Sequence, residues 1–411
     1  MGRIVVIGGG SAGIAAARAL HDDGCDVLLL EAGDRLGGRA HTVPLTLSTG
    51  QVHVDHGCGW LHSARRNPWT TIAETSGFHI DRSSPGWDEQ WRNLGYPPNE
   101  QEAFGRAYAR FERQARAAAT GPDRPLSELV DPADPFRATL DAMSGYLSGA
   151  PLDRVSLHDW AAYEADASND NWAVREGYGS LVASHAAGVP VRLSTPVTRI
   201  DHRGLTVRVV TTAGAIEADR VIVAVPTTVL ARGEIIFDPP LPAKQDAAAA
   251  LPLGLADKCF LAIDDPPWPA HSHLIGNPHA AVTASYRLSP FGWPVVEAFY
   301  GGLAAEALDE EGAAAAFAIN ELVKLLGSDF RRRLHPLGAT RWRQQPFIAG
   351  SYSYAIPGRA DARSVLAEVV DGRLFFAGEA CHATDFTTAH GAYETGLAAA
   401  HAILSAPRTV A

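Results

Sequence analysis

The strongest constraint on this chain lies at its start, where the apolar run Ile4-Val-Val-Ile7 leads straight into Gly8-Gly-Gly10-Ser11-Ala12-Gly13. Four branched apolar residues ended by glycines describe a strand buried on both faces, with Gly8 to Gly13 as its turn. The small-residue stretch Ile14 to Leu20 predicts a helix, and Val27-Leu-Leu-Leu-Glu31 a second buried strand. Together they make one βαβ unit, a device of parallel sheets. The turn has the form G-x-G-x-x-G, in which glycines let the backbone approach a pyrophosphate at the positive N-terminus of a helix. Glu31 stands 18 residues after Gly13, near the spacing of roughly 20 at which a carboxylate accepts ribose hydroxyls and repels a ribose phosphate. Gly8, Gly10, Ser11, Ala12, Gly13, Glu31 and the adjoining Ala32 are thus expected to hold a dinucleotide. On the turn alone, a nicotinamide and a flavin dinucleotide stay open.

The residues after Glu31 separate the two. Glu31-Ala32-Gly-Asp-Arg35-Leu-Gly37-Gly38-Arg39 adds a glycine pair and two guanidinium groups, which suit close backbone approach and phosphate. This run resembles the N-terminal signature of the FAD-dependent amine oxidases, the family containing monoamine and polyamine oxidases. The resemblance implies FAD, with Arg39 on the diphosphate and Arg35 and Gly38 beside it. It continues at Asp55-His-Gly57-Cys-Gly59-Trp60-Leu-His62, similar to the family segment that passes the flavin ring, where Gly57 and Trp60 meet the cofactor and His62 lines the pocket. Arg175-Glu-Gly177-Tyr-Gly179 is similar to the family's lead into its second strand system, and Val197 matches a residue whose backbone meets the adenine.

Lys258, in Gly254-Leu-Ala-Asp-Lys258-Cys-Phe-Leu, stands where the family carries a lysine bonded through water to flavin N5. An ammonium there would stabilise negative charge on the reduced ring and promote its reaction with oxygen. Trp342 and Ala349-Gly350-Ser351-Tyr352 resemble the flavin-flanking tryptophan and the turn that sets a tyrosine at the ring face. No cysteine stands in that segment, so the FAD is expected to be noncovalent. Tyr352 would form one wall of an aromatic cage that orients the amine. The second wall aligns with Thr388, a departure from the two-tyrosine cage that argues against arylalkyl monoamine specificity. Phe376-Ala-Gly378-Glu379 and Thr388-Ala389-His390-Gly391-Ala392 complete the likeness, with Gly378, Glu379, Thr388, Ala389 and Ala392 at the cofactor and the helix from Ala389 aimed at the flavin C2 carbonyl.

The expected fold is α/β: a glutathione-reductase-like FAD-binding Rossmann domain with an interleaved α+β substrate domain. Residues 1–74, 178–250 and 337–411 are assigned to the FAD-binding domain, and 75–177 and 251–336 to the substrate domain. The predicted reaction is hydride transfer from the α-carbon of an amine to flavin N5, giving an imine and hydrogen peroxide, with a small-molecule amine and oxygen as partners. Lys258 and Tyr352 are the expected catalytic residues. Alternatives from the same resemblance are an L-amino-acid oxidase, for which no carboxylate-binding arginine is evident, and a desaturase or protoporphyrinogen-oxidase type enzyme. A noncatalytic FAD-binding regulatory protein is the alternative of a different class.

Composition narrows the field. Lysine plus arginine number 35 against 46 acidic residues, a net charge of -11, which disfavours nucleic acid and anionic lipid as partners. Four widely spaced cysteines without a CxxC pair indicate neither a disulfide framework nor zinc, and no metal site is expected. No apolar run approaches the ~18 residues of a membrane span. The first strand and its turn occupy the place of a leader peptide, so a cytoplasmic protein is expected. Oligomeric state is left open.

Overall fold

A computed structural model describes residues 2–87 and 89–406. Residues 1 and 407–411, which close the expected FAD-binding segments, and residue 88 lie outside it. The chain begins with β1 (Ile4–Ile7), α1 (Ser11–Asp22) and β2 (Val27–Leu30). The helix starts three residues earlier than the apolar pattern predicts. Gly10 is its extended N-cap, and Ser11, Ala12 and Gly13 form the first turn, so the glycine motif itself carries the free N–H groups.

β1 lies at the centre of a five-stranded parallel sheet, in the order Leu374–Phe376, Arg220–Val223, β1, β2, Val191–Arg192. Its strands are apolar on both faces because both are covered. Ile4, Val6, Leu29 and Ile222 pack against α1 and the terminal helix Ala389–Ser405. Val5, Ile7, Leu28, Leu30, Val221 and Val223 pack on the other side, toward Ile200, Val207 and Val209.

The apolar stretch Ile216 to Val225 looks like one strand in sequence but is two. Gly214–Ala218 completes a hairpin with Val207–Thr211, and Arg220–Val223 crosses to pair with β1. Asp219 makes the corner, its backbone N–H donating to Arg3 O and its carboxylate accepting from Gly2 N.

A second five-stranded sheet, antiparallel, has the order Ser272–Ile275, Ser285–Leu288, Val295–Gly301, Ala256–Ile263, Leu334–Ala339. One face buries Cys259, Leu261, Tyr286, Leu288 and Ala298 against the helix Ala313–Leu326. By alternation, Lys258, Phe260, Arg287, Glu297 and Phe299 lie on the other face. There Phe260 packs with Val52 and Val54 of the strand Gly50–Asp55. Among the described residues no helix is long and apolar enough to cross a membrane.

Candidate active site

The glycine turn is packed from below and open above. A Cβ on Gly13 would stand 1.8 Å from Gly8 O, so α1 meets β1 backbone to backbone. A Cβ on Gly10 would meet nothing within 4 Å, and Gly38 lies over Gly10 Cα. Glu31 closes the end of β2. Its two carboxylate oxygens accept from Gly9 N at 2.6 Å and Gly33 N at 2.7 Å, leaving one lone pair on each for a ribose hydroxyl. Ala32 follows it just past the end of β2, and Val197 begins the strand Val197–Asp201, buried. Arg35 is largely desolvated, which lowers its guanidinium against the opposing charges of Glu31 and Asp34. Ser11 donates to Ala389 O at 2.6 Å, which ties the first turn of α1 to the N-terminus of the terminal helix. A Cβ on Gly396 would stand 2.0 Å from Ala12 O, so these two helices touch through backbone as well.

A charged knot lies between the two ends of the chain. Arg39 donates to Glu379 at 2.9 Å and to Ser351 O at 2.6 Å. Glu379 also accepts from Ser353 N, Ser353 Oγ and Thr387 N. Burial pushes the Glu379 carboxyl up, but Arg39, Arg363 and these hydrogen bonds hold it below its ordinary value. Arg39, Gly378 and Glu379 line a slot with Val223 and Val225 at the carboxyl ends of two parallel strands, which is where open α/β sheets bind their ligands.

Lys258 is buried on the apolar strand Ala256–Ile263, with three elements holding it. Its Nζ donates to Asp55 O at 2.9 Å and pairs with Glu297 at 2.7 Å. The neighbouring Asp257 accepts from Thr340 Oγ and Trp342 N, so Lys258 and Trp342 keep a fixed relation. The Trp342 indole donates to His56 O at 3.2 Å. Lysine and tryptophan thus clamp the same segment, Asp55 to Gly57, whose close approach requires glycine: a Cβ on Gly57 would stand 1.7 Å from Arg39 O. Asp55 itself is turned away, toward Thr42 Oγ and the backbone N–H groups of Tyr178 and Gly179, and burial raises its carboxyl. For Glu297, burial acts upward, yet Lys258 and Arg287 hold its carboxyl below the usual range.

Tyr352 hangs beside this strand. Gly254 N donates to its carbonyl at 2.8 Å, and its hydroxyl donates to Tyr146 O at 2.6 Å. The Tyr146 ring lies 5.7 Å from Phe299, which is directly opposite Lys258 in the sheet register. Thr388 is not presented in the same way. It is buried as the N-cap of the terminal helix, accepting from Gly391 N and donating to Asp385 O, so its hydroxyl is already engaged. Trp60 packs edge-on against Trp87 at 5.3 Å. His62 bonds Asn171 at 2.6 Å, and burial pushes it down to about 4, so it is neutral at pH 7.

Two residues of this face escaped sequence reasoning, Glu297 and Arg287. Their signal was present as a charge in each of two apolar strands, Val-Val-Glu-Ala-Phe-Tyr and Ser-Tyr-Arg-Leu. Alternation opposite core residues would have put both beside Lys258, had the strand pairing been known. The described residues also contain a His382, Asp385 and Glu394 cluster with metal-like spacing. Its donors are occupied: Asp385 takes a two-pronged bond from Arg66 and has His390 Nε2 3.0 Å from its Oδ1, and His382 pairs with Glu394.

A parallel sheet, a glycine turn opening a helix and an acid ending the second strand define a Rossmann-type dinucleotide-binding domain. The family described as flavin containing amine oxidoreductase matches residues 136–404, and an NAD(P)-binding Rossmann-like domain matches 6–74. The chain belongs to the flavin-containing amine oxidoreductase family. It is 31% identical to polyamine oxidase 2 of Arabidopsis thaliana over 97% of this chain and 87% of that one. It is also 27% identical to lysine-specific histone demethylase 1B of Mus musculus, over 96% of this chain and 52% of that protein. The structure of a putrescine oxidase superposes with a TM-score of 0.77, covering 98% of this chain and 99% of that one at 21% identity, which shows the shared fold. FAD is the cofactor of this enzyme, and the open faces of Gly10 and Gly378, where a Cβ meets nothing within 4 Å, give it a cradle.

Proposed function

We propose that this enzyme is an oxidase of small-molecule amines, with Lys258 and Tyr352 at the reacting end of the flavin and Glu31, Arg39 and Glu379 along its length. When bound, FAD supplies the two-electron acceptor: hydride leaves the α-carbon of a neutral amine, water hydrolyses the resulting imine to an aldehyde or ketone, and oxygen carries the electrons off as hydrogen peroxide.

The observation that carries this reading is the seating of Lys258. An ammonium has three N–H donors, and two are committed to Asp55 O and Glu297. The third remains to hold a water. Gly59 leaves that side open by having no side chain, since a Cβ there would crowd Nζ at 3.1 Å. The Glu297 carboxylate keeps the ammonium in place while offsetting part of its charge. Tyr352 and Phe299 offer aromatic surface to the substrate. Arg39 is held by Glu379 with further N–H groups available to a diphosphate, and the helix Ala389–Ser405 turns its N-terminal amides toward developing negative charge.

The flavin is proposed to be held without a covalent bond. The thiols of Cys58, Cys259 and Cys381 are each pushed up to about 12 by burial, far from the thiolate that bonding would use. Acid precipitation should leave the yellow colour in solution. Peroxide release scored over mono-, di- and polyamines tests the activity. Release with at least one class supports it, and a flavin-loaded enzyme that releases none with any class overturns it.

A further inference from the structure

Resting on the oxidase reading, we infer that Arg287 binds a carboxylate, so that the amine oxidised carries an anionic group, as an amino acid does. Arg287 alternates with the core residues Tyr286 and Leu288 and lies directly opposite Glu297 in the strand register, on the face that carries Lys258. It lines the same cavity as Lys258, Glu297, Trp60, Phe291 and Trp293. Its guanidinium carbon stands 4.4 Å from the Trp60 ring centre and 5.0 Å from that of Phe291. Stacking of this kind fixes the plane of the fork and leaves its N–H edge free.

Among the described residues Arg287 makes no hydrogen bond or ion pair, and its buried Nε is unsatisfied. Glu297, the obvious counter-ion across the strand, is taken by Lys258 at 2.7 Å. Asp55 faces Thr42 and backbone amides, and Asp81 is taken by His271 at 3.2 Å and by Ser83 N. Glu297, Asp81 and Asp55 act on Arg287 by charge alone, and among the described residues none of them reaches it with a hydrogen bond or ion pair. An unpaired guanidinium in a cavity calls for an anion, and the planar fork suits a carboxylate bound by two parallel hydrogen bonds. Arg175, 5.5 Å from Trp293 and 5.8 Å from Phe291, adds a second cation on the same aromatic wall. The distal ammonium of a diamine would instead meet like charge here.

The test compares each amino acid with the amine left when its carboxylate is removed: lysine with cadaverine, and phenylalanine with phenethylamine. For the flavin-loaded enzyme, kcat/KM should favour the carboxylated member of a pair by about tenfold or more, and Arg287→Gln should abolish the preference. In parallel, calorimetry with benzoate should show binding to the wild-type protein, weakened at least about tenfold in Arg287→Gln. Oxidation of the plain amines in preference to both amino acids overturns the inference and leaves the oxidase reading intact. If no amine of any kind reduces the flavin, the oxidase reading falls, and benzoate still decides the arginine's role. Absence of benzoate binding, or equal binding to wild type and variant, counts against it. Should Arg287→Gln fail to fold, the wild-type substrate pairs decide the matter alone.

Discussion

Alanine placed at two glycines of the same turn, one walled in by backbone and the other open, separates a cofactor cradle from a mere packing turn. At Gly13 the added Cβ would stand 1.8 Å from Gly8 O. A comfortable carbon–oxygen contact is about 3.3 Å, so α1 would have to retreat from β1 by roughly 1.5 Å. Both are backbone of a filled core, and overpacking of this kind costs about 3 kcal/mol. At Gly10 the Cβ would meet nothing within 4 Å, and φ -82 with ψ -175 is open to any residue. The loss of a glycine N-cap and the gain from a stiffer unfolded chain nearly cancel, leaving about 0.5 kcal/mol either way. Thermal melts of flavin-free protein should therefore leave Gly10→Ala within about one degree of wild type and lower Gly13→Ala by several degrees. FAD titration followed by flavin fluorescence should reverse the emphasis for Gly10→Ala, with affinity at least about tenfold weaker, the equivalent of about 1.4 kcal/mol. An unaltered FAD affinity in Gly10→Ala would refute the cradle and reduce the motif to a tight turn.

Lys258→Met should slow flavin reoxidation by oxygen more than it weakens FAD binding. It should also cost about 3 kcal/mol of stability by stranding Glu297 in a buried site. Adding Glu297→Leu should recover most of that loss in melts; a double variant no more stable than the single one contradicts the ion pair's role. Glu379→Gln removes the negative charge and one of the two acceptor oxygens that Arg39, Ser353 and Thr387 share, and should reduce flavin retention on dilution at least about tenfold; full retention speaks against the knot. His41, His56 and His62 are each pushed down to about 4, chiefly by burial. They are neutral when folded, whereas in the unfolded chain they take up protons near their ordinary value of about 6.5. Stability should thus fall as pH drops from about 6.5 toward 4. A melting temperature unchanged between pH 7 and pH 5 contradicts that assignment.

Much of the cofactor end could be read from the chain because its determinants are local. The apolar strand, the glycine turn and the acid at Glu31 lie within one βαβ unit, and their spacing is set by the lengths of a strand and a helix. The alanine-rich stretch Glu310 to Leu326 reads as a helix from local pattern for the same reason, and the helix runs Ala313–Leu326, starting after Gly312, which adopts a left-handed conformation no other residue takes easily. The substrate end was harder. Glu297 and Arg287 become neighbours of Lys258 only through antiparallel pairing of three strands, and nothing local in their sequence specifies that register. Thr388 has a local role that its place in the motif did not reveal. Its position relative to Gly391 suggests a substrate contact, but a threonine before a helix serves first as its cap, and here it does. The division of Ile216 to Val225 between two sheets was likewise invisible, since apolar periodicity does not reveal where a chain changes sheet.

Anaerobic addition of amines and amino acids to the purified flavoprotein, with the visible flavin band monitored, tests the central claim most directly. The account predicts that at least one substrate bleaches the band, and that admitting air restores it with release of peroxide. A flavin band that stays unchanged with every amine and amino acid would contradict it.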